Sequence, residues 1–508
     1  MTEPGKTSRR EFLAWGAALA SGAAACGKVA DNTGAAMTTP LIDLSASDAV
    51  AAMRQGDMTA EAYARALLDR CAAGQHLNAF ISFDPDRVLE AARAADIKRA
   101  SGAALPPLHG LPIPVKDSVN TRDYPTSGGT PALRKFVPAE NAALVTRLID
   151  AGGLVLGKTN IHELSFGWTS NNQAFGAVRN PYDTSRIPGG SSGGTAAAIA
   201  ARMAPLGIAE DTQGSIRVPA AMCGIYGFRP TQDRYPNQGV VPITPLFDQV
   251  GPHARAVADL ALFDHVMTGE PLVAGAPPLA GLHLGVPRQY FYGMLDKDVE
   301  RVTTETLEKL AYAGAVLVEA DVPDLEELIS LTTAQVQLYH VKHMLARYLE
   351  EFATGITLDE LMEQASPDIQ ATFARYVLGG DGTPSEADFN AARDRHLPAL
   401  RKTLDAYFRD HGLAAMIFPA AQIAAPPIGH DQETTLNGRT VPFEAVISRN
   451  ISPGSTGGLP GIVIPAGFTS EGLPVCLELD GSHGSDRALL GSGLAIESVL
   501  GHLPPPVI

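Results

Sequence analysis

The chain of 508 residues has few cysteines, only Cys26, Cys71, Cys223 and Cys476. They form no C-x-x-C pair, and no histidine cluster has the spacing of metal ligands, so the sequence indicates neither a metal site nor a bound cofactor. Cys71, Cys223 and Cys476 lie in apolar surroundings and read as buried thiols, although an exported protein would leave a pairing between two of them open. Clustered positive charge is also missing. Lys and Arg number 39 against 55 Asp and Glu, for a net charge of −16. Basic residues occur only in short pairs, which argues against nucleic acid as a partner. No apolar run reaches the roughly 18 residues that a membrane-crossing helix needs. Internal repeats and long low-complexity segments are absent as well. What remains is a chain with 45% hydrophobic and 19% charged residues, enough to bury a large core.

The N-terminus reads "TSRREFLAWGAALASGAAAC". Arg9 and Arg10 precede an alanine-rich, mildly apolar run that ends in small residues. This is the pattern of a twin-arginine export signal, and it predicts a signal over residues 1–26 and a periplasmic destination. Ala23-Ala24-Ala25-Cys26 approaches a lipobox, with Ala23 where such boxes usually carry Leu. A membrane anchor therefore depends on whether Cys26 is lipidated. Residues 27–40, "GKVADNTGAAMTTP", are small and polar and read as a linker to a domain spanning 41–508.

Helix-forming and strand-forming segments alternate along that domain. "TAEAYARALLDRCAA" (59–73) has apolar residues at helical spacing with Thr59 as N-cap, and "DPDRVLEAARAADIKRA" (84–100) is a second helix. "LHGLPIPVKDSVN" (108–120) is a proline-punctuated strand region. "HLGVPRQYF" (283–291) reads as a strand and its exit loop, and "AAMIFPA" and "GIVIPAGF" have buried-strand character. The alternation predicts an α/β fold whose sheet is covered on both faces. Residues 325–410, longer, more polar and mostly helical in pattern, read as a helical insertion.

Three glycine-rich stretches need a chemical reading. "GGLVLGKT" (152–159) matches the phosphate-loop pattern letter for letter, but the strand itself falls in the middle of the pattern, where a loop is required. Gly152 and Gly153 instead end a helix, and Lys158 is expected to begin the next loop. "IPGGSSGGTAAAIAA" (187–201) contains G-x-S-x-G. A nucleophile elbow would need a strand before it and a triad histidine after it. The preceding "RNPYDTSRIPGG" is loop-like, and His283, His430 and His483 read as surface or structural residues. A flexible tether is also a poor fit, because the stretch runs directly into a helix of small residues that has to pack closely. The remaining possibility is a site completed elsewhere in the chain. The third stretch, "AEDTQGSIRVPAAMCGIYGFRPT", offers Ser215, and "HGLPIPVKDSVN" offers Lys116 among apolar neighbours.

With "PLHGLPIPVKD", "GKTNIHELSFG", "AFGAVRNPYD", "GGSSGG", "DTQGSIRVPA", "CGIYGFRPT" and "GLPGIVIPAG" in this order, the chain resembles the amidase signature family over residues 41–505. The resemblance implies the amidase-signature fold, a mixed twisted sheet covered by helices on both faces. It also implies a catalytic unit of Lys116, Ser191 and Ser215, with Ser215 as nucleophile, Ser191 as bridging serine and a cis Gly190–Ser191 peptide. Oxyanion donors would come from the turn of Thr212, Gln213, Gly214 and Ser215, and Ser165 would line the acyl pocket. Phe166, Trp168 and Phe247 are candidates for an apolar pocket wall or for core packing. Many family members have glycine in place of Gln213, and a positive φ there would strain a glutamine. Asp211 and Arg217 read as braces for the loop.

The implied chemistry is self-consistent. A serine hydroxyl needs a base in contact, and a lysine serves only when neutral, which burial among Ile113, Pro114 and Val115 favours. "QGVVPITPLFDQVGPHARAVADLALFD" and "EAVISRNISPGSTGGLPG" look most like mandelamide and indoleacetamide hydrolases. The expectation is an exported hydrolase that converts a small linear carboxamide, a primary arylacetamide, to carboxylic acid and ammonia. A carboxylesterase or peptide-amide hydrolase on the same triad, and a non-catalytic binding protein, are the alternatives. The amidotransferase subunit that acts on charged transfer RNA would share the triad, but the acidic balance and the export signal argue against it.

Overall fold

The computed structural model describes residues 39–508 except Ala274 and Ala353. The segment 1–26 with its Arg9–Arg10 pair and Cys26, and residues 27–38 of the expected linker, lie outside the described residues. No helix among the described residues is long and apolar enough to cross a membrane.

The described strands are β1 (Phe80–Phe83), β2 (Pro112–Lys116), β3 (Leu154–Thr159), β4 (Leu206–Asp211), β5 (Tyr226–Arg229), β6 (Gln249–Ala254), β7 (His283–Gly285), β8 (Val316–Val318), β9 (Ala415–Pro419), β10 (Glu433–Leu436), β11 (Arg439–Pro442), β12 (Gly461–Phe468) and β13 (Pro474–Asp480). β10 and β11 form a separate hairpin. The others build one 11-stranded sheet in the order β1-β3-β2-β4-β6-β5-β12-β13-β9-β7-β8. It is mixed: β2 pairs parallel with β3 and β4, while β4, β5, β12 and β13 make antiparallel ladders with their neighbours. Parallel neighbours require crossover connections, and here the helix Ala143–Asp150 links β2 to its neighbour β3, while Gly193–Ala200 lies on the connection from β3 to β4 on the other side of β2. The result is the α/β sheet flanked by helices that the sequence predicts.

β2, β4 and β9 are buried at every position. That is why these short runs read as continuously apolar and not as alternating. It also means that any charged residue on them must be paired inside the protein. The helix Ala60–Ala73 starts where Thr59 Oγ1 accepts the Ala62 N–H, and Pro85–Ala100 starts on Asp84. Both match their expected spans. Cys71, Cys223 and Cys476 are free and buried.

Between β8 and β9 the chain is helical, in segments from Leu325–Ser330 to Leu397–His411, with capping boxes at Thr357/Glu360 and Ser385/Asp388. The layer is attached to the rest by an apolar cluster that joins Val341, Leu345, Leu361 and Phe373 to Leu133, Leu164, Val241 and Ile243. Two local expectations change. Lys158 does not begin a loop: it is a buried member of β3, because the strand runs on to Thr159. In 283–291 the strand stops at Gly285, and Arg288–Phe291 forms a helical turn after Pro287.

Candidate active site

Lys116 ends β2 and is fully buried. Its Nζ donates to Ser191 Oγ at 2.6 Å and to Glu210 Oε2 at 2.8 Å. Burial pushes the Lys116 ammonium below its ordinary pKa, and the carboxylate of Glu210 opposes that shift. The lysine is therefore held between a desolvation penalty that favours the neutral base and an anion that favours the cation.

Ser191 follows a cis Gly190–Ser191 peptide and stands just before the helix Gly193–Ala200. Its carbonyl accepts from the His162 N–H at 3.1 Å and from Ser170 Oγ at 3.2 Å. The glycines around it are there because backbone passes too close for a side chain. A Cβ on Gly190 would sit 2.7–2.9 Å from the backbone of Trp168, Thr169 and Ser170. The helix that follows, "GGTAAAIA", is buried along its whole length, so its small residues serve packing. Ser192 Oγ donates to the Glu210 carbonyl at 3.1 Å and ties this loop to β4.

β4 ends in Glu210 and Asp211, which point to opposite faces of the strand and serve different ends. Asp211 accepts from the N–H groups of Gly214 (2.8 Å) and Ile216 (3.1 Å) and is paired with Arg217 and Arg229. Burial alone would raise its pKa, but the two guanidinium groups and these hydrogen bonds hold it below the usual carboxylate range. Arg217 also pairs with Glu478 and is bonded to Ser455. Asp211 and Arg217 thus brace the loop 212–216, as their sequence context suggested.

That loop carries Ser215, which is nearly buried. Thr212 Oγ1 donates to Asp248 Oδ1 at 2.6 Å and lies 3.3 Å from Glu210 Oε1. Burial, and then the proximity of Glu210, raise the Asp248 carboxyl to about 7. Gln213 does not occupy the left-handed region. Gly214 does, at φ 102°, which relieves the strain that a glutamine would have suffered. The Gln213 side chain reaches Thr456 Oγ1 at 3.3 Å, and its carbonyl accepts from Trp168 Nε1 at 2.9 Å. Because the Gly214 N–H is engaged by Asp211, the donors of this turn left for a substrate oxygen are the Thr212, Gln213 and Ser215 N–H groups, which bond to nothing among the described residues.

Lys116 and Ser191 are thus joined directly. Ser215 stands in the loop after β4 that Asp211 anchors, and its hydroxyl makes no hydrogen bond to Ser191 among the described residues. Such contacts are often open in a substrate-free enzyme and tighten with substrate. Ser165, expected along an acyl pocket, directs its hydroxyl to Glu210 Oε2 at 2.9 Å. Phe166 packs on Phe373 with ring centroids 4.9 Å apart, and Phe247 is buried with Val336 and Phe389. Both belong to the attachment of the helical layer. Trp168 is the aromatic tied to the Ser215 loop.

The residue that sequence reasoning passed over is Glu210. Its signal was present in "LGIAED", an acid closing a strand otherwise apolar and fully buried. Lys158 in "LVLGKT" carries the same signal.

The amidase family model matches residues 62–490. The chain belongs to the amidase signature family. This amidase is 40% identical to an indoleacetamide hydrolase of Agrobacterium vitis over 449 residues, 88% of this chain and 95% of that protein. It is 36% identical to a mandelamide hydrolase of Pseudomonas putida over 482 residues, 92% of this chain and 93% of that one. A crystal structure described as an amidase superposes with a TM-score of 0.81 at 31% identity, covering 90% of this chain and all of that one. Family membership makes this protein a hydrolase of amide C–N bonds.

Proposed function

We propose that this amidase hydrolyses primary amides of arylacetic acids to the acid and ammonia through an acyl-enzyme on Ser215. The observation that carries the reading is the buried 2.6 Å hydrogen bond from Lys116 Nζ to Ser191 Oγ. A serine hydroxyl held by a desolvated amine is a ready proton relay. The names of the indoleacetamide and mandelamide hydrolases support the substrate class.

Neutral Lys116 accepts the Ser191 proton while Ser191 accepts that of Ser215. Ser215 Oγ then bonds to the amide carbon, and the carbonyl oxygen becomes an oxyanion facing the free N–H groups of the 212–215 turn. As the C–N bond breaks, the proton on Lys116 returns through Ser191 to the leaving nitrogen, which departs as ammonia. Water attacks the acyl-enzyme by the same relay, gives its proton up the chain and releases the acid with Ser215 restored. Ammonia release from a panel of mandelamide, indoleacetamide, short aliphatic amides and amidated peptides tests the substrate class. Fastest turnover of the arylacetamides is expected, and a preference for amidated peptides or matched esters would replace this reading.

We also propose that the protein is exported folded through the twin-arginine route, on the strength of Arg9–Arg10 and the small-residue run to Cys26. Intact mass of the protein recovered from the periplasm is expected to show loss of the first 25 or so residues. An added lipid mass on Cys26 would establish an anchor, and full-length protein in the cytoplasm would refute export.

A further inference from the structure

We propose that Glu210 is a positioning residue for Lys116: its carboxylate anchors the ammonium beside Ser191 in the resting enzyme and sets how alkaline the medium must be before Lys116 is released as a base. The inference rests on the reading of Lys116 as the base, and deepens it.

Glu210 is almost wholly buried on a strand with no exposed residue, where an unpaired carboxylate would be costly. It is instead surrounded by donors. Oε2 receives Lys116 Nζ at 2.8 Å, Ser165 Oγ at 2.9 Å and Ser118 Oγ at 3.2 Å, and Oε1 lies 3.3 Å from Thr212 Oγ1, whose proton goes to Asp248. The donors come from the end of β2, from the turn after it and from the 163–165 turn, and the Thr212 contact reaches the Ser215 loop. One carboxylate thus ties together the segments that carry the relay.

The lysine side is complementary. Its three protons have acceptors in Ser191 Oγ, Glu210 Oε2 and, at a longer 3.4 Å, the Glu210 carbonyl. The arrangement suits an ammonium, yet an ammonium cannot accept a proton from Ser191. The other titratable groups that face Lys116 are already committed. Asp211 on β4 is paired with Arg217 and Arg229. Asp248, before β6, accepts from Thr212 and from the Ile243 and Thr244 N–H groups. His253 on β6 is bonded to the Ile216 carbonyl, and His162 to Thr169. Among the described residues Glu210 is the carboxylate in direct contact with the amine. Removing its charge leaves the burial penalty on the lysine cation opposed only by Asp211 and Asp248, which do not touch the amine, so the free base persists to lower pH.

The test compares the pH dependence of kcat/KM for ammonia release from an arylacetamide in wild type, E210Q, E210S and E210D, each checked by thermal melting. Both neutral variants are expected to move the acid limb down by about one pH unit or more, the reach of an opposite charge in contact. Their alkaline plateau falls about tenfold because the base is weaker and less well held. E210D, which keeps the charge, is expected to keep the limb near its wild-type position. An unmoved limb in a folded neutral variant would overturn the proposal, and the two replacements differ in volume so that misfolding of one still leaves a test. Failure of the underlying reading looks different: S215A and K116A would then retain wild-type turnover, whatever E210Q does.

Discussion

Two lysines, Lys116 on β2 and Lys158 on β3, are fully buried on adjacent parallel strands. Each is paired with a buried carboxylate: Lys116 with Glu210 at 2.8 Å, Lys158 with Asp117 at 3.3 Å. Burial lowers the pKa of both ammonium groups, and the partner carboxylate opposes it in both. The difference lies in the third partner. Lys158 is closed off by Thr126 Oγ1 at 2.7 Å and the Pro125 carbonyl at 3.1 Å, and Asp117 is occupied by the side chain and N–H of Ser127. Lys116 spends its remaining contact on Ser191 Oγ, the hydroxyl proposed as the relay to Ser215. The same ion pair holds a fold together in one place and, on the proposed mechanism, serves proton transfer in the other. What separates them is where the hydroxyl partner stands: Thr126 Oγ1 donates to the Val119 carbonyl at 3.3 Å, while Ser191 follows the cis Gly190–Ser191 peptide in the loop tied to β4.

If this contrast is right, the two lysines respond differently to replacement. K116A or S215A is expected to lower ammonia release by about 10⁴-fold or more while the protein still folds, the scale seen when a nucleophile or its base is lost. Steady-state assay and a melting curve on the same sample check both halves. K158M is expected to cost about 3–5 kcal/mol of stability, since it strands the Asp117 charge in the interior. Urea denaturation measures this, and the double variant K158M/D117N should recover part of the loss. An active-site phenotype for K158M at full stability would erase the distinction between the two pairs.

A smaller effect concerns Asp248, which stands on the Lys116 side through Thr212. Its carboxyl titrates at about 7 in the fold against 3.8 when unperturbed. With the folded value raised, its contribution to stability is full below about 4 and is lost as pH rises towards 7. D248N is therefore expected to flatten the loss of unfolding free energy across that window, as read by denaturation at pH 4.5 and at about 7.5. T126V, which removes one hydrogen bond from Lys158, is the mildest change, at about 1 kcal/mol with kcat/KM unaltered.

Much of this protein was legible in its letters. Thr59 and Asp84 predicted their helix starts because an N-cap is a local interaction between residues three positions apart. The buried strands showed as apolar runs, and the helical layer between β8 and β9 showed as a long polar, helix-patterned stretch. Lys116, Ser191 and Ser215 were picked out by motif, and two of them are in contact. The rest depended on distance in space. No spacing rule brings Glu210 to Lys116, since their meeting follows from β4 lying beside β2 in the sheet. For the same reason the sequence assigned Lys158 to a loop, left Phe166 and Phe247 between a pocket wall and core packing, and did not tell which N–H of the 212–215 turn Asp211 would engage. Local chemistry, written within a few residues, decided the elements and named the reactive groups. Which charge each buried group would face was decided by the order of the strands, because a charge shut away from water is governed by whatever neighbour the fold supplies.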